Sequence, residues 1–258
     1  MDTAIRAFVA ALFGLAIGSF LTVVIDRVPK GESVARPRSR CPGCGTQIAS
    51  RDNIPVVSYL ILHGRCRTCG IRIPVRYPLV ELATGVAFAA TAAVWSSNYV
   101  AVLLCAFCAV MIAVAVIDVD LRIIPNRITY PSYPAFAAAV LLGWAFGLDL
   151  DPVRAAIGAL AYGGFFLVIA LISPRGLGMG DVKLTGLIGL ALGAVGLRFV
   201  GVAAGVAVLF GGIAAIGALA AGRGRKGAIP FGPSLAAGAI VAVVFGGHLA
   251  SWYLRAAA

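Results

Sequence analysis

The chain has 258 residues, of which 61% are apolar and 12% charged, and its formal net charge is +11. Soluble domains contain about half apolar and a quarter charged residues, so the composition excludes an ordinary soluble protein. Because the apolar residues form long blocks, it predicts an all-α polytopic membrane protein. The net charge does not indicate nucleic-acid binding, since the lysines and arginines are concentrated between those blocks.

Eight apolar runs are candidates for membrane-spanning helices, because about 20 apolar residues cross the core of a bilayer. The first is predicted to be a retained helix, since no A-x-A-like cleavage site leads from it into a soluble domain. The sixth has only 14 residues. In chain order the runs are residues 5–25, 78–95, 100–117, 130–148, 155–172, 184–197, 199–221 and 231–254.

The basic residues between the runs predict the orientation of the chain in the membrane. The loops after the first, third, fifth and seventh runs carry 17 of the 21 lysines and arginines. Cytoplasmic loops are enriched in these residues. Both termini are therefore expected outside, and residues 26–77 are expected in the cytoplasm.

This distribution predicts three regions: a first transmembrane helix at 1–25, a polar loop at 26–77 and a seven-helix membrane domain at 78–258. Many glycines lie inside the runs, where small residues let membrane helices approach closely. Helix packing is predicted for Gly186, Gly189, Gly193, Gly201, Gly205, Gly211 and Gly212.

The polar loop contains two C-x-x-C pairs, Cys41 with Cys44 and Cys66 with Cys69, separated by 21 residues and each followed by glycine. This spacing is typical of four thiolates around zinc. Disulfides are the alternative, but they seldom persist in the reducing cytoplasm. About 50 polar residues also bury too little apolar surface to fold alone. We therefore predict a small zinc-binding loop domain whose metal is structural, with no open coordination position.

A third C-x-x-C pair, Cys105 and Cys108, lies inside the third run and is interpreted as small buried side chains. Glu81, near the start of the second run, is interpreted as a structural acid paired with an arginine such as Arg76. Acids inside apolar runs are costly and are by default functional candidates.

Three further acids lie where apolar runs end or begin. Asp118 and Asp120 close the third run, and Asp181 opens the sixth in the sequence Gly178-Met-Gly180-Asp181. Both places are predicted at the cytoplasmic face, so Asp118 and Asp181 can converge although they are 63 residues apart. Two carboxylates that share a proton around one water form the site of an aspartic protease.

Neighbouring residues, Asp120 among them, are predicted to support this site. Gly178 and Gly180 leave the backbone open for an extended substrate, Pro125 ends regular helix, and Lys183 tunes the local charge. The alternative is that the acids lie at the membrane interface and pair with Arg122 or Lys183. The spacing of the acids leaves both readings open.

Several motifs in order along the chain resemble the type IV prepilin peptidases, in their bifunctional bacterial branch. In the membrane domain they are Asp118 seven residues before Pro125-Asn126, the G-x-G-D box at Asp181, and Ile229-Pro-Phe-Gly-Pro233. The N-terminal matches are residues 18–29, 40–45, 52–59, 64–70 and 76–82.

The resemblance implies that Asp118 and Asp181 are the catalytic pair and favours Asp118 over Asp120. It implies cleavage of the basic leader of a prepilin or pseudopilin at the cytoplasmic face of the inner membrane. It also implies N-methylation of the new terminus from S-adenosylmethionine, a task tied to the cysteine-bearing loop. Thr22 stands where the family usually has asparagine, and no residue pattern identifies a pocket for the methyl donor.

Two other functions remain as alternatives. One is an intramembrane protease of the G-x-G-D type without methyltransferase activity. The other is a transporter or secretion subunit that binds protons on its boundary acids and uses zinc for docking. The sequence does not identify which prepilins are processed, the oligomeric state, or the role of Asp120.

Overall fold

The fold was analysed in a computed structural model, which describes residues 2–173, 177–220 and 230–256. Within these residues the regular elements are helices, and the only β-pairing is two isolated bridges in the polar loop, Arg40 with Gln47 and Arg65 with Arg72. A 3₁₀ turn occupies Ser50–Asn53. The helices are α1 (Thr3–Arg27), α2 (Val57–Ile61), α3 (Arg76–Val94), α4 (Asn98–Leu121), α5 (Asn126–Ala145), α6 (Pro152–Ile172), α7 (Met179–Val195), α8 (Leu197–Ala220) and α9 (Gly232–Ala256).

Each of the eight predicted runs coincides with one long helix, which confirms the all-helical fold class. By length and composition, six of these helices could cross a membrane: α1, α3, α4, α6, α8 and α9. Helix α7 has 17 residues, or about 26 Å at 1.5 Å per residue, and α5 begins with polar residues and contains Pro131 and Pro134. The predicted number of eight membrane helices is therefore approximate.

Several residues used in the sequence predictions lie outside the described residues. They are Ala221 at the end of the seventh run, Ile229 of the last motif, and the loop cations Arg175, Arg223, Arg225 and Lys226.

The described chain divides into two compact units, one ending at Ala101 and the other starting at Val102. In the first unit, α1 packs tightly against α3. A Cβ atom on Gly14 would lie 2.7 Å from the carbonyl oxygen of Thr84, and one on Gly18 would lie 2.7 Å from Cα of Glu81. The two helices therefore approach through their glycines, and the polar loop connects them.

In the second unit α7 is the central helix. Leu184, Leu187 and Ile188 are fully buried, and α7 packs on α5, α6, α8 and α9. Gly189 lies against the backbone of Gly158 on α6. This burial explains why a helix of only 17 residues is stable among longer neighbours.

The prediction that glycines serve helix packing is correct for part of the set. A Cβ atom on Gly186, Gly189, Gly193 or Gly211 would collide with a neighbouring element. The prediction is wrong for Gly201, Gly205 and Gly212 of α8, where an added Cβ would meet nothing within 4 Å. These three glycines lie on faces of α8 that no described helix covers, so close approach does not explain them.

Candidate active site and metal centre

Asp118 lies in the last turn of α4 and is only 5% exposed. Its Oδ2 accepts a hydrogen bond of 3.1 Å from the backbone N–H of Gly232, the first residue of α9. The N-terminus of a helix carries partial positive charge. The start of α9 therefore offsets part, but not all, of the cost that burial imposes on the ionised form of Asp118.

Asp181 lies in the first turn of α7, before the apolar run 184–197, and is half-buried. Its backbone N–H donates a hydrogen bond of 3.0 Å to the carbonyl oxygen of Gly178. Burial and the charge of Asp118 both raise the pKa of Asp181. The second effect requires the two carboxylates to lie within electrostatic range, so the fold brings together two acids that are distant in the sequence.

Asp120, in contrast, is exposed. Successive residues of an α-helix are about 100° apart around its axis, so residues 118 and 120 point to nearly opposite sides of α4. Of the two acids, Asp118 is the one whose side chain meets Gly232.

The two glycines before Asp181 differ in their surroundings. A Cβ atom on Gly180 would lie 3.0 Å from Cβ of Ile124, in the connection between α4 and α5. A Cβ atom on Gly178 would lie 3.6 Å from Oδ2 of Asp181, an ordinary van der Waals contact, and its φ of −77° is open to any residue. Gly180 therefore lets the start of α7 approach the end of α4, a role that the sequence interpretation did not include.

Lys183 connects α7 to α5. Its ammonium group donates a hydrogen bond of 3.0 Å to Oδ1 of Asn126 and lies 4.8 Å from the centre of the Tyr130 ring. Its backbone oxygen accepts a bond of 2.7 Å from the hydroxyl of Tyr133. Lys183 thus holds the start of α7 in place.

The interpretation that Pro125 ends a helix is wrong in detail. Helix α4 already ends at Leu121, because Arg122 adopts a φ of 57° in the left-handed region. Pro125 caps the start of α5, where its carbonyl oxygen accepts a bond from the N–H of Thr129 at 3.1 Å.

The four loop cysteines form one cluster in the first unit. Their sulfur atoms all lie within 4.8 Å of one another, and the Sγ atoms of Cys41 and Cys69 are 3.7 Å apart. Four sulfurs at about 2.3 Å from a tetrahedral zinc ion are about 3.8 Å from each other. The cluster therefore fits a tetrahedral metal ion.

The two C-x-x-C segments have the same local structure. The N–H of Cys41 bonds the carbonyl of Thr46 and that of Cys66 bonds the carbonyl of Ile71, both at 2.9 Å. Gly45 and Gly70 adopt φ values of 69° and 70°, a conformation that favours glycine. The glycine after each cysteine pair is thus required by a tight turn that places both thiols on one side.

The charges of the cluster also point to a cation. The hydroxyl and the backbone amide of Thr46 lower the pKa of the Cys44 thiol to about 6. For Cys69, the amide of Ile71 acts in the same direction, but burial and the neighbouring sulfurs raise the pKa to about 11. The sulfurs are too close for all four to ionise unless a cation neutralises them.

Ion pairs and hydrogen bonds fasten this loop to the ends of α1 and α3. Asp26 at the end of α1 accepts hydrogen bonds from Arg76 and, at 2.7 Å, from the Tyr77 hydroxyl. Arg67, between two cysteines, makes a two-pronged ion pair with Asp52, the shorter bond being 2.7 Å. The base of the loop and its second C-x-x-C pair are therefore both fixed.

Glu81 has a different partner from the predicted one. Arg76 pairs with Asp26, whereas Oε2 of Glu81 accepts a hydrogen bond of 2.7 Å from the backbone N–H of Val56. Arg76 and Glu81 are five residues apart on α3, about 500° around the helix axis, so the two side chains leave α3 in different directions.

Comparisons with known proteins identify the family of the chain. Residues 12–95 match the model of the bacterial peptidase A24 N-terminal domain, and residues 105–222 match that of the type IV leader peptidase family. A prepilin leader peptidase/N-methyltransferase of Bacillus subtilis (strain 168) is 36% identical over 251 residues, which cover 95% of this chain and 97% of the relative. The chain belongs to the type IV leader peptidase family.

Other relatives are similar over comparable lengths. The prepilin leader peptidase/N-methyltransferase of Neisseria gonorrhoeae is 35% identical over 258 residues, 88% of this chain and 86% of the relative. A type 4 prepilin-like proteins leader peptide-processing enzyme of Escherichia coli O78:H11 is 36% identical over 91% of this chain and 92% of the relative. No solved structure matches. The family resemblance inferred from the motifs is confirmed.

The leader peptidase fold adds one residue that the sequence interpretation missed. Gly232 belongs to the motif at 229–233 that carried part of the resemblance, but its contact with Asp118 requires α9 to meet α4. A Cβ atom there would lie 2.5 Å from Oδ2 of Asp118. The motif itself was the available signal, since a glycine, here between Phe231 and Pro233, allows a close backbone approach.

Three other positions are buried in this leader peptidase. Cys105 and Cys108 are 7% and 0% exposed within α4, as interpreted from the sequence. The hydroxyl of Thr22 donates a bond of 2.7 Å to the carbonyl oxygen of Ser19 on the same helix.

Proposed function

We propose that this protein cleaves the basic leader of type IV prepilins or pseudopilins with Asp118 and Asp181, and then methylates the new N-terminal amine. The names of its relatives, which are leader peptidases and N-methyltransferases over nearly the full chain, support both activities. The observation that carries the aspartyl mechanism is the approach of the two acids: burial and the charge of Asp118 together raise the pKa of Asp181.

In the proposed mechanism the two carboxyl groups share one proton. The Gly232 N–H offsets part of the cost of burying the ionised form of Asp118, and Asp118 is assigned as the member that accepts a proton from the attacking water. Asp181, whose pKa burial raises, supplies its proton to the carbonyl oxygen of the scissile bond. When the tetrahedral intermediate breaks down, the proton held by Asp118 passes to the leaving amine and one hydroxyl of the intermediate returns a proton to Asp181, so the pair regains its starting state.

The four cysteines are proposed to bind one Zn²⁺ ion as a structural site. All four positions of a tetrahedral ion would be filled by sulfur, which leaves none for substrate. When bound, the ion neutralises the thiolates and fixes the two C-x-x-C turns against each other. Asp26 joins the end of α1 to the start of α3, Glu81 holds Val56 of the loop on α3, and Asp52 pairs with Arg67 within the loop.

The methyl group is proposed to come from S-adenosylmethionine, the donor that the relatives' names imply. No described residues are assigned to its binding. Methylation is assigned to the region of the cysteine-bearing loop on the family resemblance.

The chain is proposed to lie in the bacterial cytoplasmic membrane with its termini outside and the polar loop and both acids on the cytoplasmic side. The positive-inside pattern of the loops supports this orientation. A prepilin has its basic leader on the same side, so the orientation brings substrate and acids together.

A processing assay tests the site. Membranes that contain the protein are incubated with a prepilin, and the shift in substrate size is measured. Cleavage is expected in the wild type, absence of cleavage in Asp118→Ala and in Asp181→Ala, and near-normal cleavage in the control Asp120→Ala. Unchanged cutting in both single variants would remove the assignment.

The same assay separates the alternative functions. Mass spectrometry of the processed N-terminus reports the cleavage site and the added methyl group together. A cleaved but unmethylated product would indicate a protease without methyltransferase activity. A transporter or secretion subunit would leave the prepilin uncut even in the wild type.

A further inference from the structure

One segment of the polar loop carries its apolar side chains on the outside. On helix α2, Val57, Leu60 and Ile61 lie at helical spacing along one face and are 48%, 66% and 65% exposed. Ser58, whose hydroxyl is turned toward Arg51 and Ile54, is 7% exposed. A helix on a water-soluble domain has the reverse arrangement, with its apolar face buried.

The buried polar side of α2 is fully engaged. The Ser58 hydroxyl donates a bond of 2.9 Å to the carbonyl oxygen of Arg51 and accepts one of 3.1 Å from the N–H of Ile54. These bonds fix the direction in which α2 points. The two hydrogen bonds of Ser58 therefore keep the apolar face of α2 exposed.

The residue before α2 has a strained backbone. Val56 adopts a φ of 62° and a ψ of −49°, and the N–H of Val57 bonds the carbonyl of Pro55 at 2.6 Å. This is a γ-turn with positive φ at its centre, a rare conformation and a costly one for a β-branched residue. The turn points the Val56 N–H at the carboxylate of Glu81, which is 8% exposed.

The bond to Glu81 sets the depth of this segment. Glu81 lies five residues beyond the start of α3, which is about 7.5 Å along a candidate membrane helix. The neighbouring residues Leu79 and Leu82 are 58% and 44% exposed, as expected of side chains that face lipid. The 2.7 Å bond places Val56 at the same level.

We infer that residues 54–61 form a membrane-inserted segment, and that the occupant of its apolar face is the lipid of the bilayer interface. The exposed face of α2 continues the lipid-facing surface of α3, since Val56 and Glu81 join the two at one level. Arg51 and Arg65, both exposed, flank the segment and suit the phosphate groups of anionic lipids. The loop is thus docked on the bilayer rather than free in the cytoplasm.

The docking of the loop on the bilayer goes beyond the proposed function and does not depend on it. A processed pilin has its new N-terminus at the membrane surface, and a loop fastened there would stay close to it. The experiment below reads lipid contact alone, so its failure would leave the cleavage and methylation proposals untouched.

Lipid contact is measured by quenching of single tryptophans with brominated phosphatidylcholine. The full-length protein, with Trp95, Trp144 and Trp252 replaced by phenylalanine, is reconstituted in vesicles of phosphatidylcholine and phosphatidylglycerol. The test variant is Leu60→Trp. Leu79→Trp on α3 is the positive control, and Ile48→Trp, beside the first C-x-x-C turn, is the negative control.

The expected result is quenching of residue 60 at least half as strong as that of residue 79, mainly by bromine near the headgroups, with little quenching at residue 48. Quenching of residue 60 no stronger than that of residue 48 would overturn the inference. Quenching that appears only at a low ratio of protein to lipid would also overturn it, because a second copy of the chain would then cover the face at higher ratios. Loss of quenching on addition of a prepilin would likewise reassign the face to substrate.

A second measurement avoids the tryptophan-free background. The photoreactive residue benzoylphenylalanine replaces Leu60 in the chain with its native tryptophans, and adducts are identified by mass spectrometry. Phospholipid adducts at position 60, at a yield comparable with position 79 and above position 48, support the inference. Adducts to protein alone would contradict it.

Discussion

At the scale of single residues, the candidate active site depends on a backbone donor as much as on its acids. Gly232 donates to Asp118 from the first turn of α9, and the absence of a side chain is what permits the 3.1 Å bond. The contact joins two helices whose ends are more than a hundred residues apart in the sequence. The family motif shows that a glycine is present, but only the packed helices show which acid it serves.

Replacement of Gly232 by alanine should therefore impair cleavage. The new Cβ would lie 2.5 Å from Oδ2 of Asp118, and relief of such a clash typically costs about 1–3 kcal/mol. If the clash is relieved by moving Asp118 away from its position relative to Asp181, cleavage drops by roughly 10- to 100-fold. The measurement is the initial rate of prepilin cleavage at equal protein amount. Gly212→Ala is the matched control, since its Cβ would meet nothing within 4 Å, and equal rates for both variants would contradict the proposed role.

The two glycines of the G-x-G-D box should respond differently to the same substitution. Gly180→Ala forces a contact of 3.0 Å with Ile124, whereas Gly178→Ala makes only an ordinary contact of 3.6 Å. We expect cleavage to fall by about 10-fold or more in Gly180→Ala, as for other overpacked sites, and by less than about 3-fold in Gly178→Ala. A larger loss at Gly178 would instead support the substrate-access role predicted from the sequence.

At the scale of elements, the helices could be predicted because lipid imposes one solution on an apolar run: a helix whose backbone bonds are internal. The runs therefore located all eight long helices. The sequence did not predict which of the helices are long and apolar enough to span the membrane, since α7 draws its stability from burial among other helices. Nor did it predict that α4 ends at Leu121, because that end depends on the left-handed conformation of Arg122.

The contact between α6 and α7 should be sensitive to small additions. A methyl group on Gly189 would overlap the backbone of Gly158, where no flexible side chain can move aside. Gly189→Ala is expected to destabilise the second unit by about 1–3 kcal/mol, seen as a lower temperature of aggregation in detergent. In Gly205→Ala, on an open face of α8, the temperature should stay the same or rise, because alanine favours helix. An unshifted Gly189→Ala would show that the two helices do not approach as closely as described.

At the scale of the whole molecule, the residues proposed for the two chemistries belong to different units. Asp118, Asp181 and Gly232 all belong to the unit that starts at Val102, and the four cysteines belong to the unit that ends at Ala101. The sequence identified the two acids and the four cysteines as candidates, from acids at the ends of apolar runs and from the cysteine spacing, but it missed Gly232. It did not reveal that Glu81 fixes a strained turn of the loop, since the bond joins a buried acid to a backbone amide, which has no side-chain signature.

This separation predicts that metal removal affects the two activities unequally. Purified protein is expected to contain about one zinc ion per chain, and Cys41→Ser or a strong chelator should remove it, because three thiolates bind zinc more weakly than four. Without the ion, the thiols of Cys44 and Cys69 lose the cation that lets them ionise together, and the C-x-x-C turns separate. Methylation of a processed pilin should then be lost, whereas cleavage by the acids of the other unit should keep most of its rate. Ser58→Ala, which leaves the cysteines intact, is the control for general loosening of the loop and should retain the metal. If cleavage declined in step with zinc content across these variants, the ion would support the aspartyl site as well, and the assignment of one chemistry to each unit would be wrong.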